Sequence, residues 1–235
     1  MTGISRRVVM TGAAGLIGTT VTPYLDQRWD LHLTDLKSGR ATGLDITDGD
    51  ACRAAFADAD AVIHLAADPN PDASWEALLA PNVVGAYQVA QAARDCGVRR
   101  LVLASSLQAM LGYPEHMQVR AEDPPRPANL YGATKAWIEA LGAWVANTSS
   151  TSVVALRIGY FAVRPPAGDG TTPRDLAAWL SPRDCSELLR AAVEAEVAGF
   201  VVANGVSANR YRKAEPGDSS GRLGYRPSDD AWSEL

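Results

Sequence analysis

Tyr131 and Lys135 stand four residues apart in Leu130-Tyr-Gly-Ala-Thr-Lys135, and a phenol with an ammonium at that spacing can move protons. On a helix, positions i and i+4 share one face at about 5–6 Å, so the cation can lie beside the phenol. A free tyrosine has a pKa near about 10. A neighbouring cation favours the phenolate and brings proton exchange with a substrate hydroxyl closer to neutral pH. Ser105-Ser106 follows the apolar run Leu101–Ala104, where a hydroxyl could donate to a substrate carbonyl opposite the phenol. Upstream, Thr11-Gly-Ala-Ala-Gly-Leu-Ile-Gly18 sets Gly12, Gly15 and Gly18 directly after the apolar run Val8–Met10. Without Cβ atoms that backbone lets a pyrophosphate come close. The helix opening at Leu16, Ile17 and Gly18 supplies unpaired N–H donors and positive potential.

These groups need a scaffold, and its pattern is visible. Apolar runs at Val8–Met10, Leu31–Leu33, Ala61–Leu65, Leu101–Ala104, Val153–Ile158 and Phe200–Ala203 alternate with helical patterns at 16–26, 48–57, 75–96, 128–147 and 182–197. Short β-rich runs separated by helices predict an α/β fold, a doubly wound parallel sheet covered on both faces. Pro23 removes a donor inside the first helix and predicts a kink or an early end there. Ser181-Pro182 reads as an N-cap followed by proline at the first helical position. The Pro/Gly-rich stretches Arg164–Pro173 and Glu215–Gly221 read as loops from which a substrate lid could be built.

Strand ends carry the rest of the cofactor reading. Asp35 closes the second strand about 20 residues beyond the glycine loop, where a carboxylate accepts from the adenosine ribose. Its charge repels a 2′-phosphate and favours NAD over NADP, a preference that Lys37 and Arg40 temper. Asp45-Ile46 either edges the adenine or turns the chain with Asp45 as a cap, and both readings stand. Leu65, Ala66 and Ala67 end the next strand with the small side chains that a backbone passing a cofactor requires, or that tight packing would equally use. His32 and His64 lie within strands and read as hydrogen-bonded structural residues.

Bulk properties exclude other classes. The chain has 235 residues, 47% hydrophobic and 21% charged, enough for one domain with a substantial core. A net charge of −5 argues against nucleic-acid and anionic-membrane partners, which call for clustered Lys and Arg. Cys52, Cys96 and Cys185 are far apart and lack CxxC spacing, so neither a disulfide framework nor a metal site is signalled, and a reduced cytoplasmic setting is expected. No signal peptide is read at the N-terminus, and no apolar run approaches the ~20 residues of a membrane span.

The glycine loop, the serine strand and the Tyr/Lys pair together resemble the short-chain dehydrogenase/reductase superfamily in its extended, epimerase-like branch, and within it the uronate dehydrogenases. The likeness runs through Val62-Ile-His-Leu65, Asn82-Val-Val-Gly-Ala-Tyr87, Ala104-Ser-Ser106, Arg126-Pro-Ala-Asn-Leu-Tyr-Gly132, Leu156-Arg-Ile-Gly159, Ala178-Trp-Leu-Ser181, Gly205-Val-Ser-Ala-Asn209 and Leu223-Gly-Tyr-Arg-Pro227. It implies a Rossmann fold with an NAD-binding core over 1–158 and a smaller substrate region over 159–235. It further implies Tyr131 as general acid/base, Lys135 lowering its pKa and holding the nicotinamide ribose, and Ser106 polarising the reacting oxygen. Asn82 and Ile158 join the cofactor contacts, Leu107, Gln108 and Tyr160 join the substrate contacts, and Arg174 grips a sugar carboxylate. Members of the branch pair through the Tyr131 helix and the long helix before it, so a homodimer is expected; Trp137 and Trp144, seven residues apart, enlarge that helix's apolar surface. The sequence departs from uronate dehydrogenases at Leu107-Gln108, Tyr160 and Pro69, where those enzymes carry polar groups. A sugar hydroxyl left without a partner costs about 1–3 kcal/mol, which brings a less polar alcohol or ketone into view as substrate. A ketoreductase or sugar epimerase on the same machinery, and a non-catalytic NAD(P) sensor, are the alternatives.

Overall fold

The computed structural model describes residues 6–37, 39–215 and 221–233. Its strands are β1 Arg7–Thr11, β2 Asp30–Asp35, β3 Thr42–Gly43, β4 Ala61–His64, β5 Arg100–Ser106, β6 Ser152–Ile158, β7 Tyr160–Phe161, β8 Trp179–Leu180 and β9 Phe200–Gly205. The helices are α1 Leu16–Leu25, α2 Gly49–Phe56, α3 Trp75–Leu78, α4 Ala86–Asp95, α5 Leu130–Thr148, α6 Pro173–Ala178 and α7 Pro182–Glu194. Seven strands form one parallel sheet in the order β3-β2-β1-β4-β5-β6-β9, while β7 and β8 pair separately. This is the doubly wound sheet that the alternating runs predict.

Burial explains why those runs are continuous. Every residue of β4 and β5 is buried, because helices cover both faces of the sheet. Side chains alternate between the two layers. Val8, Met10, Ile63, Val102 and Val154 pack with Val21 and Leu25 of α1 and Leu188 and Leu189 of α7. Val9, Val62, Leu101, Leu103 and Val153 pack with Phe56 of α2, Val89 of α4 and Ile138 and Leu141 of α5.

Four local readings change. The single helix expected over 75–96 is broken by a π-helical stretch, Leu79–Gly85, between α3 and α4. Pro81 lies inside it, and a residue with no N–H and a ring that crowds the preceding turn favours the wider winding. Helix α1 runs through Pro23 and ends two residues later at Leu25. The loop expected over Arg164–Pro173 stops at Thr172, whose side chain forms a capping box with Asp175 and starts α6 at Pro173. Finally, residue 158 is no break in the sheet: α7 and β9 return to it, and β9 pairs with β6 from Val153↔Phe200 to Ile158↔Gly205. The described segments that leave the sheet are 159–181, 206–215 and 221–233. The second loop expected, Glu215–Gly221, lies at 216–220 outside the described residues.

Candidate active site

Strand order reverses between β1 and β4, and the carboxyl ends of these two strands open the crevice where ligands bind in such sheets. Gly12 follows β1 with φ +74°, and a Cβ there would lie 2.4 Å from the Ala66 backbone nitrogen. The glycine loop and the segment after β4 thus pass in near backbone contact, which excludes any side chain. Behind Gly15, α1 begins with no side-chain cap, so its first amides are available to an anion. One strand over, Asp35 is held in place: Oδ2 accepts from the Ala14 amide at 2.9 Å and Oδ1 from the Lys37 amide at 3.0 Å. Each oxygen keeps acceptor capacity for a ribose hydroxyl. A loop with no room for Cβ, bare helix amides and an oriented carboxylate fit a dinucleotide.

A cavity of about 550 Å³ runs from this loop across β5. Gly12, Gly15, Leu16, Ile17, Gly18, Leu65, Ala67, Ile158, Ser106, Leu107, Gln108, Tyr131, Lys135, Tyr160 and Arg174 line it. Five residues of the sequence reading stand outside that lining: Asp35, Asp45, Ile46, Ala66 and Asn82. Asp45 Oδ1 accepts from the Thr47 amide at 2.8 Å and its hydroxyl at 2.7 Å, the turn-capping geometry, and these bonds hold its carboxyl below the usual range. Ile46 is buried against the π stretch, with Cδ1 2.6 Å from where a Cβ on Gly85 would stand. Asn82 is a clamp. Its Oδ1 accepts from the Asp68 amide at 2.8 Å, while Nδ2 donates to the Asp68 carbonyl at 3.0 Å and to Thr134 Oγ1 at 3.2 Å, tying the post-β4 loop to α5.

Tyr131 and Lys135 sit on one buried face of α5, with the Lys135 ammonium 5.5 Å from the centre of the Tyr131 ring. Asn129 starts that helix, its side chain accepting from the Gly132 amide at 2.7 Å and donating to Gln108 Oε1 at 3.0 Å. A Cβ on Gly132 would come within 2.4 Å of the Gln108 carbonyl oxygen, so the helix meets the segment after β5 at backbone distance. Ser106 Oγ accepts from the Gln108 amide at 3.1 Å and donates to the Ile158 carbonyl at 3.4 Å.

Burial dominates the electrostatics of the pair. The resemblance implies that Lys135 lowers the phenol's pKa; burial pushes Tyr131 up to about 12, against a downward pull from the neighbouring Ser106 and with Asp68 pushing it further up. Lys135 is itself fully enclosed, its Nζ donating to the Ala104 carbonyl at 2.9 Å, and burial lowers it to about 8. Desolvation is the leading cause for both groups. His64 is buried, bonded at 2.8 Å to Thr11 Oγ1 and lowered to about 3 by burial and then Lys135, so it is neutral and structural.

Beneath the pair lies a buried ion pair absent from the sequence reading. Arg157 donates from Nε and Nη2 to the two Glu139 oxygens, each at 2.9 Å, and from Nη1 to the carbonyls of Arg120, Ala121 and Asp123. Ser105 Oγ donates to Glu139 Oε1 at 2.6 Å, which makes it a buttress, while both serines line the cavity. A charge inside the run Val153–Ile158 was the available signal, because a buried charge needs a partner, and Glu139 lies four residues beyond Lys135 on the same helical face. At the substrate end Pro69, Met110, Leu111, Phe161 and Ala178 add apolar wall, and Arg174, second residue of α6, makes no ion pair among the described residues.

Residues 8–198 match the NAD dependent epimerase/dehydratase family. The chain belongs to that family. It is 35% identical to the L-arabinose 1-dehydrogenase (NAD(P)+) of Haloferax volcanii, over 96% of this chain and 97% of that one. It is 33% identical to the NAD-dependent glucose-6-phosphate dehydrogenase of the same organism, over 95% and 94%. Among solved structures, a variant uronate dehydrogenase from Agrobacterium tumefaciens complexed with NAD matches with a TM-score of 0.88 at 29% identity, covering 97% of this chain and 86% of that one. The epimerase-like resemblance and the parallel-sheet fold are thereby borne out. No helix among the described residues is long and apolar enough to cross a membrane.

Proposed function

We propose that this family member is an NAD-dependent dehydrogenase that oxidises a hydroxyl-bearing sugar carbon, a uronate or a related aldose. The observation that carries the reading is one cavity holding Tyr131, Lys135 and Ser106 beside the Cβ-free loop at Gly12. When bound, NAD supplies the acceptor for the hydride that leaves the carbon. Tyr131 takes the hydroxyl proton as the C–H bond breaks, Ser106 holds the same oxygen, and Lys135 keeps a positive charge beside the phenol and reaches the ribose. Arg174 offers a fork to an anionic substituent such as a carboxylate. Asp35 favours NAD over NADP. Segments 159–181, 206–215 and 221–233 form the substrate region.

The chain works as a homodimer in this reading. Tyr87 of α4 and Trp137 of α5 are 41% and 39% exposed, and this aromatic surface on adjoining helices supports a pairing face there. Three free thiols fit a reducing cytoplasm. The test is NADH formation with uronates, neutral aldoses and apolar alcohols, beside Tyr131→Phe. Loss of the phenol hydroxyl should cut turnover by about 10²–10⁴ with NAD affinity kept. Retained turnover in the variant removes Tyr131 from the chemistry.

A further inference from the structure

The far end of the cavity holds a second cation that the sequence reading did not consider. Lys213 lines the same cavity wall as Arg174, although 39 residues separate them in the chain. Neither makes an ion pair among the described residues. Asp175, the carboxylate in that wall, is engaged by the Thr172 amide and hydroxyl at 2.9 and 2.7 Å.

The position of Lys213 is over-determined. Its amide donates to the Ala177 carbonyl of α6 at 2.9 Å, and its carbonyl accepts from the Val119 amide at 3.1 Å. Its Nζ gives its three protons to the carbonyls of Pro114, Glu115 and Met117 at 3.4, 2.9 and 3.0 Å. One residue therefore fastens the turn at Pro114–Met117 to the helix that carries Arg174. A charge fixed this way needs no reorganisation to act on a ligand. Burial and then Arg174 lower the Lys213 pKa, while Glu115 raises it, so two like charges share one wall and an incoming anion would relieve both.

We propose that Lys213 is a specificity-determining residue of the substrate cavity: held beside Arg174 by three backbone carbonyls, its ammonium selects substrates carrying an anionic group over neutral ones. The carbonyl cage means that it acts chiefly through its field, with the long bond to Pro114 the one it can exchange for a substrate oxygen. Arg174 supplies the fork and Lys213 the second charge.

This rests on the dehydrogenase reading, and the experiment separates the two. Wild type, Lys213→Met and Lys213→Arg are assayed with NAD on an aldohexuronate, an aldose 6-phosphate and a neutral aldose at low and high salt, with melting temperatures alongside. Lys213→Met should lower kcat/KM for the two anionic substrates about tenfold more than for the neutral aldose, through KM. Lys213→Arg should recover most of that selectivity, and high salt should shrink the wild-type preference. An equal loss on all three substrates, or an unchanged anionic-to-neutral ratio, overturns the proposal. If wild type turns over none of them, the dehydrogenase reading fails first, and calorimetry of the aldohexuronate with the NAD-loaded protein decides the inference: equal affinity in wild type and Lys213→Met refutes it.

Discussion

Replacing Arg157 with methionine isolates what the buried ion pair contributes. Its guanidinium makes two 2.9 Å bonds to Glu139, and the two side chains are 2% and 5% exposed. The variant leaves a carboxylate in the core with the Ser105 hydroxyl at 2.6 Å as its remaining side-chain donor, and it strips Nη1 from three carbonyls at 3.1–3.2 Å. Breaking one side of a buried pair costs about 3–5 kcal/mol, a large share of the ~5–15 kcal/mol that holds a domain folded. With a urea dependence of about 2–3 kcal/mol per molar, the unfolding midpoint should fall by about 1–2.5 M. The double variant Arg157→Met/Glu139→Leu removes both charges and should regain most of the loss, because apolar replacement of a whole pair is close to neutral. Urea titration by circular dichroism measures all three proteins. A single variant within about 1 kcal/mol of wild type, or a double variant no better than the single, refutes the argument that Glu139 depends on this guanidinium.

Gly12→Ala must move a backbone at φ +74° away from the Ala66 amide, so NAD affinity should drop at least about tenfold while the fold persists; an unchanged Kd by calorimetry contradicts the close-approach account. Lys135 is held at about 8, below its unfolded value of about 10.4, so its contribution to stability is present above the unfolded pKa and is lost as pH falls through 8. Denaturation of wild type and Lys135→Met between about pH 7 and 10 should show wild type gaining on the variant as pH rises, and a flat difference refutes the shift. Tyr131, held at about 12, acts in the opposite sense: its contribution is present below about pH 10 and is lost as pH rises through 12. Trp137→Glu sets a charge on the exposed face of α5 and should give a monomer by light scattering, whereas a surviving dimer moves the interface elsewhere.

The elements legible in the sequence are those whose cause is local or periodic. β4 and β5 read as apolar runs because helices bury both their faces, and the glycine loop reads as such because it sits between a strand and a helix. What sequence reasoning missed depends on partners distant in the chain. Nothing near Pro81 announces a π turn rather than a kink. The α6 start was different, since Thr172-Pro-Arg-Asp175 is a capping pattern that the Pro/Gly-rich context masked. Asn82 could be assigned to the cofactor by likeness, but that it clamps Asp68 to Thr134 depends on three segments meeting.

Burial, which spacing does not report, sets the resting state of the phenol. An i, i+4 pair fixes that a cation is near; it says nothing of how much water both groups lose. At about 12, Tyr131 is protonated at neutral pH, the species that can donate to a carbonyl. In the proposed dehydrogenase, oxidation needs the reverse, a phenolate, which the neighbouring Ser106 favours and any positive charge on Lys135 would favour further. Low dielectric raises the pKa, and it equally magnifies the response of the phenol to any further positive charge brought beside it. The burial that keeps the resting phenol protonated therefore makes its ionisation sensitive to what occupies the cleft. In the proposed dehydrogenase, one set of residues then serves either direction, with occupancy and pH deciding which protonation state is populated.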